Sequence, residues 1–104
     1  MNIKTYFSSG RLTVYLCGEL DHHQAKEAIR SVDELVDEYL PRDCVLDLSE
    51  LSFMDSSGIA LIIRLSRRMN NIGGRVWIEN PNAQPHRVID ASGIDRLVPV
   101  AVSR

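Results

Sequence analysis

The feature that most constrains the fold is the alternation of an amphipathic helix pattern with short apolar runs. Between residues 22 and 40, apolar side chains recur at spacings of three and four, and charged side chains occupy most of the positions between them. The run 44–48 is short and largely apolar, and the segment 75–79 has the apolar centre Val76-Trp77-Ile78, as is typical of buried strands. Since parallel strands need long crossovers, this order predicts an α/β domain.

An antiparallel pair is expected before the first helix. Residues 3–7 and 12–17 alternate in polarity, and Ser8-Ser9-Gly10-Arg11 between them has the composition of a turn. Residues 97–102 are expected to form a last edge strand. These segments and the two apolar runs predict a mixed, mostly parallel sheet of about five strands. Because crossovers are right-handed, we expect the helices to pack mainly on one face.

Local signals define three helices. The first is expected to run from His22 until Pro41 stops it, and the second from Asp55 or Ser56 to about Asn71. The third is expected between residues 82 and 93, with Asn82 as a candidate cap and Gly93 as a left-handed stop.

Composition bounds the function. A chain of 104 residues with a net charge of -2 predicts a single domain, 1–104, without the basic surface that nucleic acid requires. No apolar run is long enough to cross a membrane, so we expect a cytoplasmic protein. We also expect it to require no cofactor or metal. Cys17 and Cys44 lie in apolar segments and are expected to be buried, reduced thiols.

A short polar cluster marks the start of the second helix. Asp55, Ser56 and Ser57 can each accept hydrogen bonds from the unpaired amides of a first helical turn, and such a cap is the plainer role for a serine. A helix start also tolerates a phosphate, because free amides and the positive end of the helix dipole face it. Both roles are open for Ser56.

Asp21 occupies the corresponding position before the first helix. Loops that follow neighbouring parallel strands emerge at the same sheet edge, so Asp21 and Ser56 should lie close together if their strands are neighbours. Asp21 can also act as a helix cap, and the two roles are compatible.

The second helix has two unlike sides. Apolar residues on one side are expected to pack, while the other side begins with Ala60 and continues with Arg64, Arg67 and Arg68. With Leu61 beside it, Ala60 should make the outer surface small and apolar before it becomes basic. This outer side is either an ordinary solvated surface or a binding surface.

Catalytic motifs are not evident. The chain contains neither a glycine-rich loop with a phosphate-binding lysine nor a Gly-x-Ser-x-Gly nucleophile elbow. The sequence therefore favours a substrate of a kinase over a kinase or a hydrolase, and we expect no enzyme activity.

Four segments carry a family resemblance that covers nearly the whole chain. Residues 19–23 read Glu-Leu-Asp-His-His, 51–58 read Leu-Ser-Phe-Met-Asp-Ser-Ser-Gly, 72–74 read Ile-Gly-Gly and 90–94 read Asp-Ala-Ser-Gly-Ile. They resemble the anti-sigma factor antagonists of the STAS domain family, in particular those of sporulation. The Asp-Ser-Ser-Gly motif is specific to the phosphorylatable members.

The resemblance implies a partner-switching cycle. The unphosphorylated protein would bind an anti-sigma factor that is also a serine kinase, which frees the sigma factor and regulates transcription, with sporulation as one possible pathway. Phosphorylation of Ser56 would end the binding, and a serine phosphatase would restore it. Asp21 matches the family aspartate beside the phosphorylated serine, whereas Ser57 and Gly58 match neighbours with structural roles.

The partner-binding residues expected on this basis surround the helix start. They are Asp21, Asp55, Ser56, Ser57, Gly58, Ala60 and Arg64. Relatives commonly have Leu-Gly after the motif and a small residue further on, where this chain has Ile59-Ala60 and Arg64, so its partner preference is expected to differ. The alternatives are a STAS accessory subunit of a transport complex and, with less support, a nucleotide-binding domain.

Overall fold

In the computed structural model, which describes residues 1–102, strands and helices alternate as the sequence predicts. The strands are β1 (Asn2–Ser8), β2 (Arg11–Leu20), β3 (Asp43–Asp47), β4 (Leu51–Met54), β5 (Arg75–Glu79) and β6 (Val100–Ala101). The α-helices are α1 (His22–Tyr39), α2 (Ser56–Asn71) and α3 (Ala83–Ser92), and a 3-10 turn (Ile94–Arg96) follows. That turn shortens the predicted last strand to β6.

The strands form a mixed sheet in the order β1-β2-β3-β5-β6. Only β1 pairs antiparallel, through a hairpin in which Ser9 and Gly10 both have positive φ, and the other described strands pair in parallel. The predicted mixed, mostly parallel sheet with an edge strand at the end is confirmed.

The strand β4 was not predicted. It pairs with β2 beyond the point where β3 ends, so β3 and β4 together follow β2 along its length. Arg11 pairs with Asp43 and Leu20 with Met54, which means that the β3–β4 side uses two more residues over the same distance. One extra residue lies in the connection between β3 and β4, and a register shift next to Gly18, whose φ is +106°, absorbs the other.

One face of the sheet carries the core. Leu12, Val14 and Leu16 alternate along β2 and are fully buried against helix residues, which confirms that the helices pack on one face. Cys44 belongs to this core, and burial raises the pKa of its thiol to about 12. The prediction for Cys17 was wrong in one respect, since its side chain is only half-buried because it points to the helix-free face with the opposite parity to Leu16.

The amide side chains that precede and begin α3 attach this helix to β4. Asn82 stands at the cap position but does not cap, because its Nδ2 donates to the carbonyls of Ser49 (2.9 Å) and Leu51 (3.0 Å). Gln84 accepts from the Met54 N–H (2.8 Å) and donates to the Met54 carbonyl (2.9 Å). These bonds satisfy the edge of β4 that no strand covers, and they fix α3 beside the chain that leads into α2.

A buried carboxylate at the start of β3 joins the starts of the neighbouring strands β2 and β5. Asp43 is fully buried and accepts from Arg75 Nε at 2.9 Å and Nη2 at 3.2 Å, while Arg11 and Arg42 lie within 4.0 Å. These guanidinium groups, Arg75 first, hold the pKa of Asp43 below its ordinary value of 3.8 despite burial.

Replacing Asp43 with Asn should lower the free energy of unfolding at pH 7 by about 1.5 to 3 kcal/mol, because charged hydrogen bonds are lost at a buried site. Asp37→Asn removes an exposed carboxylate that pairs with Arg68 and should cost less than about 1 kcal/mol. Since the folded pKa of Asp43 is depressed, its contribution is complete above pH 3.8 and is lost as the pH falls through the folded pKa. Chemical denaturation of the parent and of both variants, at pH 7 and again below pH 3.8, measures these losses of stability. Equal losses in the two variants at pH 7 would contradict the prediction.

Candidate functional site

The candidate site lies where β2 and β4 end side by side. Leu20 and Met54 are register partners in this parallel pair, and the Asp55 N–H donates to the Leu20 carbonyl at 3.3 Å. Each strand is followed directly by a helix, α1 after Asp21 and α2 after Asp55. The parallel pairing therefore brings Asp21 and the start of α2 to the same sheet edge, as predicted, although the strand next to β2 here is β4.

Asp21 caps α1. Its Oδ1 accepts hydrogen bonds from the backbone N–H groups of His23 (3.0 Å) and Gln24 (3.1 Å). Its Oδ2 accepts no hydrogen bond within residues 1–102. One carboxylate oxygen thus stabilises the helix start, while the other is free to meet a donor from outside the domain.

Asp55, and not Ser56, caps α2. The Asp55 Oδ1 accepts from the Ser57 N–H at 2.8 Å, and the Asp55 carbonyl accepts from the Gly58 N–H at 3.0 Å. Ser56 is the first residue of α2, is exposed, and its hydroxyl has no hydrogen-bond partner in the part of the chain that the structure describes. Capping, the plainer role, is therefore filled by a neighbour.

Gly58 lets the first turn of α2 pack tightly. A Cβ atom at this position would lie 2.3 Å from Met54 Cγ and 3.2 Å from Leu20 Cδ2, and both of those side chains are fully buried. Gly58 is itself buried, so it shapes the site by allowing close approach, while Ser57 orients the turn through its amide.

The outer side of α2 is partly engaged by α1. Ala60 is exposed, and Arg64 donates from Nε to Asp33 at 2.9 Å, while Arg68 pairs with Asp37. The expectation that Leu61 adds to an apolar outer surface was wrong, because Leu61 is 1% exposed and packs in the core. The outer side of α2 therefore begins with the small side chain of Ala60. Further along the helix it is formed by arginines that also pair with carboxylates of α1.

A groove between α2 and α3 opens at Ser56. Its volume is about 500 Å³, and the residues that line it are Ser56, Ile59, Gln84, Arg87, Val88, Ala91 and Ser92. Gln84 and Arg87 were missed in the sequence because α3 carries no recognisable motif, and its contact with β4 depends on a strand that was also missed. Phe53, with 39% of its surface exposed, is a further apolar group on β4 just before the site.

The geometry suits a serine that receives a group. Within residues 1–102, no side chain that could act as a base lies within hydrogen-bond distance of the Ser56 hydroxyl. Ser56 is exposed and stands at the start of a capped helix, where it is open to a separate enzyme.

Across residues 1–102, none of the helices combines the length and the hydrophobicity that spanning a membrane would require. The longest of them, α1, has charged side chains along one whole side.

Comparison with known proteins agrees with this geometry. The chain is 34% identical over 100 residues to an anti-sigma F factor antagonist of Paenibacillus polymyxa. The aligned residues make up 96% of this chain and 86% of the relative. Among solved structures, the anti-sigma factor antagonist SpoIIAA in its unphosphorylated form matches with a TM-score of 0.83 at 23% identity, over 99% of this chain and 89% of the other.

The phosphorylated form of the Bacillus cell fate determinant SpoIIAA also matches, with a TM-score of 0.74 at 23% identity, over 99% of this chain and 92% of the other. At this identity the two structures show the same fold. The STAS domain family model matches residues 2–104. The chain therefore belongs to the STAS domain family, in the branch of the anti-sigma factor antagonists, for which phosphorylated and unphosphorylated forms are known.

Proposed function

We propose that this anti-sigma factor antagonist binds an anti-sigma factor while the Ser56 hydroxyl is free, and that phosphorylation of Ser56 ends the binding. The observation that carries the proposal is the exposed hydroxyl of Ser56, which has no hydrogen-bond partner among residues 1–102, while Asp55 fills the capping role. The similarity to relatives that exist in both forms supports it.

The modification requires a partner with kinase activity. An anti-sigma factor that is also a serine kinase would transfer the γ-phosphoryl group of ATP to Ser56 Oγ. A bond forms between Oγ and the γ-phosphorus, the bond between that phosphorus and the bridging oxygen of ADP breaks, and the hydroxyl proton passes to the kinase's base. A serine phosphatase would reverse the modification by hydrolysis, and the cycle would run in the cytoplasm, where sigma factors act.

The binding surface consists of the groups that surround Ser56. Asp21 offers a carboxylate oxygen that has no hydrogen bond within residues 1–102, and Ser56 offers its hydroxyl. Beyond them α2 presents the small side chain of Ala60 and the positive charge of Arg64. A partner with a basic group near Asp21 and an acidic group near Arg64 would match this distribution of charge.

Phosphorylation would act locally. A phosphoserine carries about 1.5 to 2 negative charges near pH 7, and on Ser56 these would lie close to Asp55 and Asp21. These repulsions exist in the free protein as well as in the complex, so the affinity falls through the partner's own groups. An acidic group of the partner about 4 Å from one unit of the phosphate charge would be repelled by roughly 4 kcal/mol at an effective dielectric of 20, which corresponds to nearly a thousandfold in affinity. The amides at the start of α2 offset part of this cost in the free protein but not at a contact surface that must exclude water.

We expect Ser56→Ala to bind the anti-sigma factor and to resist inactivation by ATP, because the acceptor oxygen is absent. Ser56→Asp should lower the affinity only partly, since it adds one charge where phosphate adds about two. Ser57→Ala is the matched control, because it keeps Ser56 and the Asp55 cap. Isothermal titration of each variant before and after incubation with ATP, with mass spectrometry of the product, measures these effects.

Phosphate on Ser57 in place of Ser56, or full binding after modification of Ser56, would refute the proposal. An unmodified chain after incubation with the organism's anti-sigma kinase would instead favour the alternative of an accessory subunit in a transport complex. Amide chemical shifts of the free and the phosphorylated protein add a structural check, since changes that reach β5 and β6 would contradict a local mechanism.

Asp21→Asn should weaken partner binding or slow phosphorylation at least tenfold while the free energy of unfolding stays within about 0.5 kcal/mol, because Asn caps a helix as well as Asp does. Asp21→Ala should cause the same functional loss and a further loss of about 1 kcal/mol in stability. Paired measurements of kinase affinity and thermal unfolding separate the two roles. Normal affinity in Asp21→Asn would leave Asp21 with a capping role alone.

Arg64→Gln should lower the affinity for the anti-sigma factor about tenfold or more and change stability by less than about 1 kcal/mol, as is usual for an exposed ion pair. Asp33→Asn is the matched control, since it breaks the same ion pair but leaves the guanidinium on α2. Binding titrations at low and high salt provide the measurement. Equal effects of the two variants would mean that the ion pair, and not a contact with the partner, is what matters.

A further inference from the structure

The groove between α2 and α3 contains a positive charge that the binding surface described above does not use. Arg87 lines this groove together with Ser56, is exposed, and forms no hydrogen bond or ion pair with any residue in the range 1–102. The other titratable residues of α3 are His86 and Asp90, and His86 Nε2 lies 3.7 Å from Asp90 Oδ1. Arg87 is therefore the unpaired charge of α3 that shares a cavity with Ser56.

The position of Arg87 is fixed by the packing of α3. Gln84 holds the first turn of α3 through two hydrogen bonds to the backbone of Met54, two residues before Ser56. Residues three apart on a helix lie on the same side, so Arg87 follows Gln84 one turn further along the groove. Neither His86 nor Asp90 lines the groove, and their side chains lie 3.7 Å from each other, which leaves Arg87 as the charged side chain of α3 that lines it.

We propose that Arg87 binds the phosphate of phosphorylated Ser56 across this groove. A guanidinium group donates two parallel hydrogen bonds to phosphate oxygens, and the volume of about 500 Å³ leaves room for the phosphate beside the serine. The carboxylates of Asp21 and Asp55 at the same sheet edge oppose the phosphate charge, and Arg87 compensates for them. The inference rests on the proposed phosphorylation of Ser56 and extends it to how the modified form is stabilised.

This arrangement has a consequence for the cycle. In the unmodified protein Arg87 has no partner among the described residues and adds positive charge to the groove, whereas in the modified protein the same guanidinium is neutralised by the phosphate. Phosphorylation would then change the charge on both sides of the groove at once. It would also restrain the phosphate, and so affect its access to a phosphatase.

A titration of the phosphate tests the proposal. Phosphoserine is placed at position 56 of the full chain by genetic encoding, and the ³¹P chemical shift is followed against pH. A neighbouring cation favours the dianion and lowers the second pKa of the phosphate, which is about 6. We expect that pKa to be about 0.5 unit or more higher in Arg87→Gln than in the otherwise unchanged protein, and the difference should shrink in about 1 M salt.

Two further variants make the result specific. Arg67→Gln removes the same charge eleven residues beyond Ser56 on α2, about 16 Å along the helix, and should leave the phosphate pKa unchanged. Arg87→Lys keeps the charge without the forked donors and should restore part of the shift. The proposal is overturned if Arg87→Gln titrates like the parent, or if Arg67→Gln has an equal effect. Because no kinase is used, failure of a kinase to modify Ser56 would contradict the proposed function without affecting this test.

Discussion

The parallel pairing of β2 with the β3–β4 segment is the constraint on which the site depends. It makes Leu20 and Met54 register partners, and so the two helices that follow these strands begin at the same sheet edge with Asp21 and Asp55 as their caps. The pairing of β4 with β2 continues this parallel contact past the end of β3. Without that extension, the start of α2 would have no hydrogen-bonded neighbour to hold it next to Asp21.

Close packing keeps the exposed serine in place. Gly58 allows the first turn of α2 to lie directly on Met54, and Gln84 binds the backbone of the same Met54 from the side of α3. Met54, two positions before Ser56, is thus held by β2, by α2 and by α3. The proposed phosphorylation of Ser56 would therefore leave the fold unchanged, because the contacts that determine the backbone do not include the hydroxyl.

Much of this was predictable from the sequence. Periodicity and stop residues defined the helices within a residue or two, and the alternation of strands and helices was sufficient to predict a mixed, mostly parallel sheet, although not the order of its strands. The strand β4 could not be predicted, since its four residues show no alternation and form a strand only because β2 continues beside them. The groove with Gln84 and Arg87 depends on that strand and on how α3 docks, and neither leaves a local pattern in the sequence.

The division of roles among neighbouring polar residues could not be settled from residue types either. Asp55, Ser56 and Ser57 are all suitable caps, and only the backbone geometry shows that Asp55 accepts the hydrogen bond from Ser57. With Asp55 at the cap, the Ser57 amide in the first turn is satisfied without a serine hydroxyl. The serine that follows is then not needed for stability, and a residue that is not needed for stability can be modified reversibly. A cap made by Ser56 itself would couple every phosphorylation event to the stability of α2, whereas the proposed phosphorylation of Ser56 would leave the capping bond between Asp55 and Ser57 in place.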